Sequence, residues 1–382
     1  MQHPPKGTLS KRTIDCAHRR TCGACSFLRL PYGKQLEKKQ RRLREALVTT
    51  LRIEPRRIRA TVPSPLIEGY RNRAKMTVSS SRDGVSKLGY FQRRSREVVD
   101  APDCKVLVPE LLETTRQLRA LLNSRVRLPF ALRHIDLRCG SDPDEQHVTL
   151  VLKTDQLPRI PYDALMEACP SVRGIATNLN PGATAQVIKG RIEPMVGARE
   201  VFVESAGLSL RVSPGSFFQV NLAVLPLIHQ RMAEFLGEGE LLLDLYAGVG
   251  THGLALREHF RRVLCVEGVR SSVADAKASI RAGGVRNVDV LGSPIHRAIR
   301  RLRSENPDAV VLNPSAAGAD RPTLQTILAS SARRVAYLSC DPKTLARDLS
   351  TLVRGGFEIS SAQAIDMMPQ TQQVESLALL SR

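Results

Sequence analysis

A single cysteine late in the sequence follows a buried strand and precedes a helix. Cys340 lies in YLSCDPKTLARD, directly after the apolar run 334–338. A helix dipole favours the thiolate at its amino terminus, so we expect Cys340 to have a lowered pKa and to act as a nucleophile. An isolated cysteine is more often a small core residue. Its place at the carboxyl edge of a predicted sheet, where such folds bind ligands, favours the nucleophile.

Glu375 begins the last predicted strand, after the segment DMMPQTQQV. A glutamate at the start of a strand is usually just solvated and by itself indicates little. A carboxylate in a partly desolvated pocket nevertheless suits the general base that a thiolate mechanism can require. Cys340 and Glu375 are therefore the candidate catalytic pair.

A buried strand runs into a turn with two glycines at residues 241–251, LLLDLYAGVGT. Gly248 and Gly250 let the backbone approach a ligand closely. Glu267 ends the next predicted strand, 23 residues after Asp244, where a carboxylate can bind the hydroxyls of a ribose. The turn alone fits a purely structural role equally well. Together with Glu267, and without a P-loop motif, it favours S-adenosylmethionine as the ligand.

Three of the eight cysteines, Cys16, Cys22 and Cys25, fall within ten residues near the N-terminus. Cys104 follows far downstream and could supply a fourth thiolate. Four thiolates serve zinc and an iron–sulfur cluster equally well, so the spacing leaves both open.

The positive charge is concentrated at one end of the chain. The net charge is +20, and residues 1–100 contain 24 Lys and Arg against 8 Asp and Glu, or +16. Such an excess favours a polyanionic partner, whose phosphates release counterions on binding. No apolar run reaches the ~20 residues needed to span a bilayer. The N-terminus has no apolar signal-peptide core, so we expect a cytoplasmic protein.

The elements that must position these residues divide the 382-residue chain in two. Leucines at helical spacing predict an amphipathic helix at 34–51, and short β-rich pieces with helices such as 109–122 predict an α+β unit. From residue 217 onward, helices alternate with apolar strands and end in an antiparallel hairpin. We predict an α/β protein with domains 1–206 and 207–382, the second a seven-stranded Rossmann-like methyltransferase domain.

Four motifs resemble those of the uracil-C5 RNA methyltransferases over nearly the whole chain. They are SPGSFFQVN at 213–221, LDLYAGVG at 243–250, SC at 339–340 with 344–348, and DMMP at 366–369 with VE at 374–375. The resemblance implies an RNA-binding role for the first domain, Cys340 as nucleophile and Glu375 as base. It also implies contacts to S-adenosylmethionine or the target base from Gln219, Tyr246, Glu267 and Asn313.

Carbon 5 of uracil is too weak a nucleophile to take a methyl group from a sulfonium directly. Addition of a thiolate at carbon 6 gives an enolate whose carbon 5 can attack. A general base must then remove the proton on carbon 5 before the thiolate leaves. One Cys and one Glu are the minimum set for this reaction.

The cysteine pattern is similar to the four-cysteine [4Fe-4S] site of bacterial 23S ribosomal RNA members of this family. The resemblance therefore favours an iron–sulfur cluster at Cys16, Cys22, Cys25 and Cys104, with zinc as the alternative. The chain also resembles a short subgroup, without an N-terminal β-barrel domain, that methylates 23S ribosomal RNA. We expect a monomer that modifies 23S ribosomal RNA, with transfer RNA as the alternative substrate.

Some positions depart from the family pattern. NPSAAG at 313–318 lacks the usual arginine, and Thr251, His252 and Gly268 differ from the common residues of their motifs. Two other functions stay open at this point. One is a cytosine-C5 methyltransferase, although DNA enzymes of that kind usually have Pro where Ser339 stands. The other is a catalytically impaired RNA-binding or ribosome-assembly factor of the same fold.

Overall fold

The computed structural model describes residues 11–51, 53–80, 85–126, 128–182 and 187–382. Within these residues the strands form an eight-stranded sheet, a seven-stranded sheet and a two-stranded hairpin. Residues 1–10 of the predicted N-terminal basic region lie outside the described part of the chain.

The strands of the N-terminal half are β1 (Ile58–Val62), β2 (Arg73–Ser80), β3 (Ser86–Phe91), β4 (Val98–Asp100), β5 (Leu132–Cys139), β6 (Gln146–Leu152), β7 (Val172–Leu179), β8 (Arg191–Gly197), β9 (Val201–Ser205) and β10 (Leu208–Val212). Those of the C-terminal half are β11 (Gly239–Leu245), β12 (Phe260–Glu267), β13 (Val288–Gly292), β14 (Ala309–Leu312), β15 (Arg334–Ser339), β16 (Glu358–Ile365) and β17 (Glu375–Ser381). The α-helices are α1 (Tyr32–Leu51), α2 (Pro109–Leu122), α3 (Tyr162–Ala168), α4 (Leu225–Leu236), α5 (Thr251–Ala255), α6 (Arg270–Ala282), α7 (Ile295–Leu302), α8 (Arg321–Ala329) and α9 (Pro342–Arg354).

The C-terminal sheet has eight strands, so the expectation of seven was wrong. Its order is β1-β16-β17-β15-β14-β11-β12-β13. The predicted apolar strands and the final antiparallel hairpin are all present in it. The additional strand is β1, which pairs in parallel with β16 through Ile58 and Ala362. Its partner lies about 300 residues away in the sequence, and local patterning cannot reveal such a pairing.

Helices cover both faces of this sheet, because its strands are apolar on both sides. One buried cluster joins the sheet to α1, α7, α8 and α9. A second cluster joins the other face to α4 and α5, and it also includes the hairpin β9–β10. The carboxyl ends of the parallel strands therefore form the open edge where side chains can meet a ligand.

The predicted helix at 34–51 is confirmed, since α1 spans Tyr32–Leu51 with Leu43 and Leu47 fully buried. These leucines pack into the core of the C-terminal sheet. Both α1 and β1 thus join the C-terminal unit although they precede the predicted domain boundary. The division at residues 206 and 207 itself stays a prediction.

The remaining strands form a mixed sheet in the order β4-β3-β2-β5-β6-β7-β8. Its apolar face packs on α2 and α3 around residues such as Met76, Ile135 and Leu150. The predicted helix 109–122 matches α2 residue for residue. This is the α+β unit that the sequence predicted. In the described part of the chain, no helix is both long enough and apolar enough to cross a lipid bilayer.

Candidate active site

The two candidate catalytic residues lie side by side at the carboxyl edge of the eight-stranded sheet. β15 and β17 run antiparallel, and the register pairs Ser339 with Ser376. Cys340 and Glu375 stand one residue beyond that pair, on neighbouring strands. The charge of Glu375 acts on the Cys340 thiol, second only to burial, and raises its pKa. The structure therefore brings together two residues that are 35 positions apart in the sequence.

Glu375 is almost fully buried, with 6% of its surface exposed. Burial destabilises the carboxylate form and raises the pKa of Glu375 from 4.5 to about 8. A group with a pKa close to the working pH can both accept and release a proton efficiently. The environment of Glu375 thus suits a general base near neutral pH.

Cys340 does not have the lowered pKa that the sequence predicted. Helix α9 begins at Pro342, and its N-cap Asp341 accepts hydrogen bonds from the backbone N–H groups of Lys343 at 2.8 Å and Thr344 at 3.0 Å. The free N–H groups of this helix end are therefore already matched by a negative charge. Burial and the nearby Glu375 raise the pKa of the Cys340 thiol instead. With a raised pKa, Cys340 would have to lose its proton before it could act as a nucleophile.

The predicted cofactor loop follows β11 in a backbone conformation that favours glycine. Tyr246, Gly248 and Gly250 have φ angles of 60°, 58° and 84°. A Cβ atom added at Gly248 would meet nothing within 4 Å, so the backbone there borders open space. Glu267 accepts hydrogen bonds from the N–H groups of Gly248 at 2.8 Å and Val269 at 2.7 Å. Each carboxylate oxygen can accept more than one hydrogen bond, so Glu267 retains acceptor capacity for ribose hydroxyls.

The side chain of Tyr246 anchors this loop to a helix. Its hydroxyl lies 3.2 Å from Oγ1 of Thr323 on α8, and the N–H of Asp320 donates to it at 3.5 Å. Tyr246 also packs against the cluster on the α8 face of the sheet. In this position the hydroxyl fixes the loop, and the loop backbone is what borders the open space.

Asp244 lies on β11, just before this loop, and the sequence had suggested no role for it. It is fully buried on β11, and its Oδ2 accepts a hydrogen bond at 2.7 Å from the N–H of Gly253 on α5. Burial, with the charge of Glu267 as a further cause, raises the pKa of Asp244 to about 7. A lone aspartate inside the apolar run LLLDL was the signal available in the sequence.

Asn313, directly after β14, belongs to a part-buried hydrogen-bonded chain with two histidines. Its Nδ2 lies 3.1 Å from Nε2 of His252, whose Nδ1 lies 3.2 Å from Nε2 of His229. Burial lowers the pKa of His252 to about 3 and that of His229 to about 4. Both imidazoles are therefore neutral. The sequence singled out His252 only as a departure from its motif and did not predict this contact.

Gln219 lies on the segment 213–221, which is tied to the protein at both ends. At one end, buried Asp275 accepts hydrogen bonds from the N–H of Ser213 at 2.8 Å and from the hydroxyl of Ser216. At the other, the amide of Asn221 donates to the Met367 carbonyl at 3.2 Å. Gln219 is 6% exposed. This segment and the 366–370 loop that leads to Glu375 are thus adjacent.

The 366–370 loop is held by helix α1 through a buried ion pair. Lys39 and Asp366 are both fully buried and in contact, and Nζ of Lys39 also donates to the Met368 carbonyl at 2.9 Å. Gln35 and Gln370 exchange hydrogen bonds at 2.8 and 2.9 Å. The sequence gave no sign of this network, because its members lie more than 320 positions apart.

The loop 313–318 lacks the family arginine but takes contacts from α9. Arg347 donates to the Ala317 carbonyl at 2.8 Å, and the hydroxyl of Thr344 donates to the Ala316 carbonyl at 3.1 Å. The loop is therefore fixed to the helix that follows Cys340. Both contacts end on backbone carbonyls of the loop. None of residues 313–318 is itself positively charged.

The four candidate ligand cysteines lie on two segments of the chain, Cys16, Cys22 and Cys25 on the first and Cys104 on the second. Cys104 is buried, Cys16, Cys22 and Cys25 are half-buried, and all four are free thiols. Burial raises the pKa of Cys25 to about 12, and the charges of Cys104, Cys22 and Cys16 contribute in the same direction. His18 and Asp103, which are 3.0 Å apart, join the segments beside them.

Among the described residues, no group of three or more His, Cys, Asp or Glu side chains is arranged to hold a metal ion. Burial is the main cause that raises the pKa of Cys22, Cys25 and Cys104, and a nearby cysteine of the set raises each of them further, so these thiols lie in one region. Thiolates that repel one another are the groups that a bound metal stabilises. Whether the four thiols ligate a metal or a cluster is therefore a matter for proposal.

Comparison with known proteins agrees with this fold and shows the family of the chain. The profile of the tRNA (Uracil-5-)-methyltransferase family matches residues 31–382. An uncharacterized RNA methyltransferase of Halalkalibacterium halodurans is 30% identical, covering 94% of this chain and 81% of the relative. One of Synechocystis is 31% identical, covering 94% of this chain and 80% of the relative.

A solved structure with a similar fold is the tRNA (uracil-54, C5)-methyltransferase of Pyrococcus abyssi, in complex with S-adenosyl-L-homocysteine. The TM-score is 0.73 at 25% sequence identity, and the alignment covers 94% of this chain and 86% of that one. The family match spans nearly the whole chain, including both candidate catalytic residues. The chain therefore belongs to the tRNA (uracil-5-)-methyltransferase family and is an RNA methyltransferase of the uracil-C5 type.

Proposed function

We propose that the protein transfers a methyl group from S-adenosylmethionine to C5 of one uridine in RNA through a covalent adduct with Cys340. The observation that carries this proposal is the juxtaposition of Cys340 and Glu375 across β15 and β17. They stand at the same sheet edge as the open loop around Gly248. A nucleophile, a buried base and a ligand-accessible loop thus share one edge.

The chain's own residues perform two of the steps. Cys340 first loses its thiol proton to solvent, its Sγ then adds to C6 of uracil, and the C5–C6 electron pair moves toward the O4 oxygen. C5 would then take the methyl group that S-adenosylmethionine supplies when bound, leaving S-adenosylhomocysteine. The Glu375 carboxylate takes the proton from C5, the C5–C6 double bond reforms, and the Sγ–C6 bond breaks to release Cys340.

The cofactor supplies an electrophilic methyl group when bound. Glu267 and the open backbone at Gly248 would hold its adenosine part, since Glu267 already fixes this loop through the Gly248 N–H. Gln219 and Asn313 stand on segments that border the same edge and would contact the cofactor or the base. Tyr246 would contribute through the loop conformation that its hydroxyl maintains.

The decisive assay uses RNA from cells that lack this gene, incubated with the protein and methyl-labelled S-adenosylmethionine. Nuclease digestion to nucleosides should yield labelled 5-methyluridine, whereas labelled 5-methylcytidine would refute uracil specificity. Cys340→Ala should abolish the product and leave cofactor binding within a few-fold. The buried core cysteine Cys169 offers a matched control, because Cys169→Ala should retain activity.

Glu375→Gln should trap the adduct, since addition and methyl transfer can proceed but removal of the C5 proton stalls. A slower-migrating protein–RNA band on a denaturing gel is the expected result. If the Glu375→Gln variant turned over normally, Glu375 would not be the base. If wild-type protein bound RNA and cofactor without any transfer, the impaired assembly factor would replace the proposed enzyme.

The RNA substrate that we propose is 23S ribosomal RNA, with transfer RNA as the alternative. The excess of basic residues in the first hundred positions supports a large polyanion, and the protein's first domain would supply much of the RNA contact. Separate fractions of the two RNAs, assayed in parallel, distinguish them. We propose that the protein acts as a monomer in the cytoplasm, and sedimentation of the purified chain tests the monomer.

We propose further that Cys16, Cys22, Cys25 and Cys104 ligate a [4Fe-4S] cluster with a structural role. The shared region of the four thiols supports it, and no step of methyl transfer requires redox chemistry. Anaerobic purification should give brown protein with about four irons and four labile sulfides per chain. Colourless protein with one equivalent of zinc would retain the four ligands but overturn the iron–sulfur assignment.

A further inference from the structure

Two neutral histidines stand behind Asn313 at the reactive edge of the sheet. His252 is 1% exposed on α5, and His229 lies on α4. Together with Asn313 they form a continuous chain of contacts at 3.1 and 3.2 Å. Burying two imidazoles costs stability unless each is hydrogen-bonded. An apolar side chain would fill the same space without that cost, so the polar chain calls for a reason beyond packing.

The protonation states of the chain follow from simple hydrogen-bond rules. A neutral imidazole has one N–H donor and one acceptor nitrogen, and an amide nitrogen can only donate. Because Nδ2 of Asn313 faces Nε2 of His252, that Nε2 must be the acceptor. The proton of His252 then resides on Nδ1 and is donated to Nε2 of His229. His229 thus selects the tautomer of His252, and His252 selects the orientation of the Asn313 amide.

The amide orientation matters because of where Asn313 lies. Strand register places it beyond the pair Leu245 and Leu312 and beside the end of β15. Side chains alternate along strands, so Asn313 is on the same face as Val311, which belongs to the α4–α5 cluster. Cys340 comes two residues after Leu338 and is therefore on the same face as Leu338, which belongs to that same cluster. Asn313 and Cys340 therefore face the same side of the sheet edge.

With Nδ2 bound to His252, the Oδ1 acceptor of Asn313 is turned away from the histidines. The N3 atom of uracil carries a proton and donates, whereas N3 of cytosine has no proton and accepts. An Asn313 carbonyl oxygen fixed toward the base would therefore accept a hydrogen bond from N3 of uracil. With cytosine, two acceptors, this oxygen and N3, would face each other. Sites that hydrogen-bond a specific donor discriminate strongly against ligands that lack it.

We propose that His252, backed by His229, is a positioning residue that holds the Asn313 amide with its oxygen toward the target base and thereby favours uracil. This inference rests on the proposed uridine methylation. His252 itself touches neither base nor cofactor. Its effect is transmitted entirely through the orientation of one amide.

The test compares kcat/KM for methylation of the same RNA in single and double variants. His252→Leu removes the acceptor and should lower kcat/KM by about tenfold or more, the scale of one lost positioning hydrogen bond. The cofactor Kd should stay within about threefold. Adding Asn313→Asp should restore most of the loss, because a carboxylate presents an acceptor oxygen in either orientation. His252→Gln, which can still accept from the amide, should retain more activity than His252→Leu.

His229→Leu provides a second route that leaves His252 itself unchanged, and it replaces a residue that is less buried than His252. It removes the acceptor for the Nδ1 proton of His252 and should lower kcat/KM in the same direction, again with rescue by Asn313→Asp. If single variants match wild type, or if their losses persist after Asn313→Asp, the positioning role is refuted. If wild-type protein makes no 5-methyluridine, the proposed function fails instead, so the two failures are distinguishable.

Discussion

We predict that the buried carboxyl of Glu375 makes the folded protein less stable at pH 8 than at pH 5. The Glu375→Gln variant should lack this contribution to the pH dependence. The folded-state pKa is about 8, against 4.5 for an exposed glutamate. A raised pKa means that the folded state holds the proton more tightly than the unfolded state. The stabilisation from Glu375 is therefore complete below pH 4.5 and is lost as the pH rises through about 8. Glutamine has no such dependence.

The size of the effect follows from the two pKa values. Each pH unit between them corresponds to about 1.4 kcal/mol. Between pH 5 and pH 8 the wild-type protein should therefore lose at most about 3 to 4 kcal/mol through this group. Local relaxation and water entry reduce such costs for buried charges, so we expect about 1 to 3 kcal/mol.

Thermal unfolding of both proteins at pH 5 and pH 8 measures this difference. Glu375→Gln should raise Tm at pH 8 by roughly 2–4 °C for each kcal/mol, and change it little at pH 5. Asp244, whose pKa is raised to about 7, affects both proteins alike and cancels. Glu204→Gln, at an exposed position on β9, is the matched control and should show no pH-dependent gain. An equal gain at both pH values would refute the buried, high-pKa carboxylate.

Three further predictions follow from other parts of the structure. Lys39→Met should lower the free energy of unfolding by about 3–5 kcal/mol, because it leaves Asp366 buried without its partner. The double variant Lys39→Met/Asp366→Leu should regain most of that loss in denaturant titrations, and an additive double loss would contradict the ion-pair argument. Glu267→Gln should weaken S-adenosylmethionine binding by about tenfold in calorimetry, since hydrogen bonds to a charged acceptor are the stronger ones; unchanged affinity would remove Glu267 from the cofactor site. Cys22→Ser should reduce solubility and RNA affinity more than cofactor binding, whereas normal RNA affinity would argue against a structural cluster.

The pattern of apolar runs was sufficient to predict seven of the eight strands of the C-terminal sheet, β11 to β17, and its final hairpin. A buried parallel strand must be apolar on both faces, so its sequence signal is continuous and local. The positions of the two candidate catalytic residues could also be predicted, because Cys340 and Glu375 occupy strand ends that sequence alone can locate. The turn of the candidate cofactor loop was also predictable, since Gly248 and Gly250 have the positive φ angles that favour glycine.

The direction of the Cys340 pKa could not be predicted from its place before a helix. The helix end was already matched by Asp341, and burial together with Glu375 outweighed the dipole. Burial of Cys340 and the effect of Glu375 both depend on how deeply the rest of the fold covers this edge of the sheet. Desolvation is a property of the whole environment, so one residue's sequence neighbours do not determine it.

What the sequence by itself determined is therefore the set of elements, the reactive residue types and the order in which they occur. Only the tertiary structure decided which distant residues meet: β1 beside β16, Lys39 against Asp366, and His252 against Asn313. Each of these contacts joins segments that no local pattern relates. Their stability comes from packing and burial across the completed fold, which exist only once the chain has closed on itself.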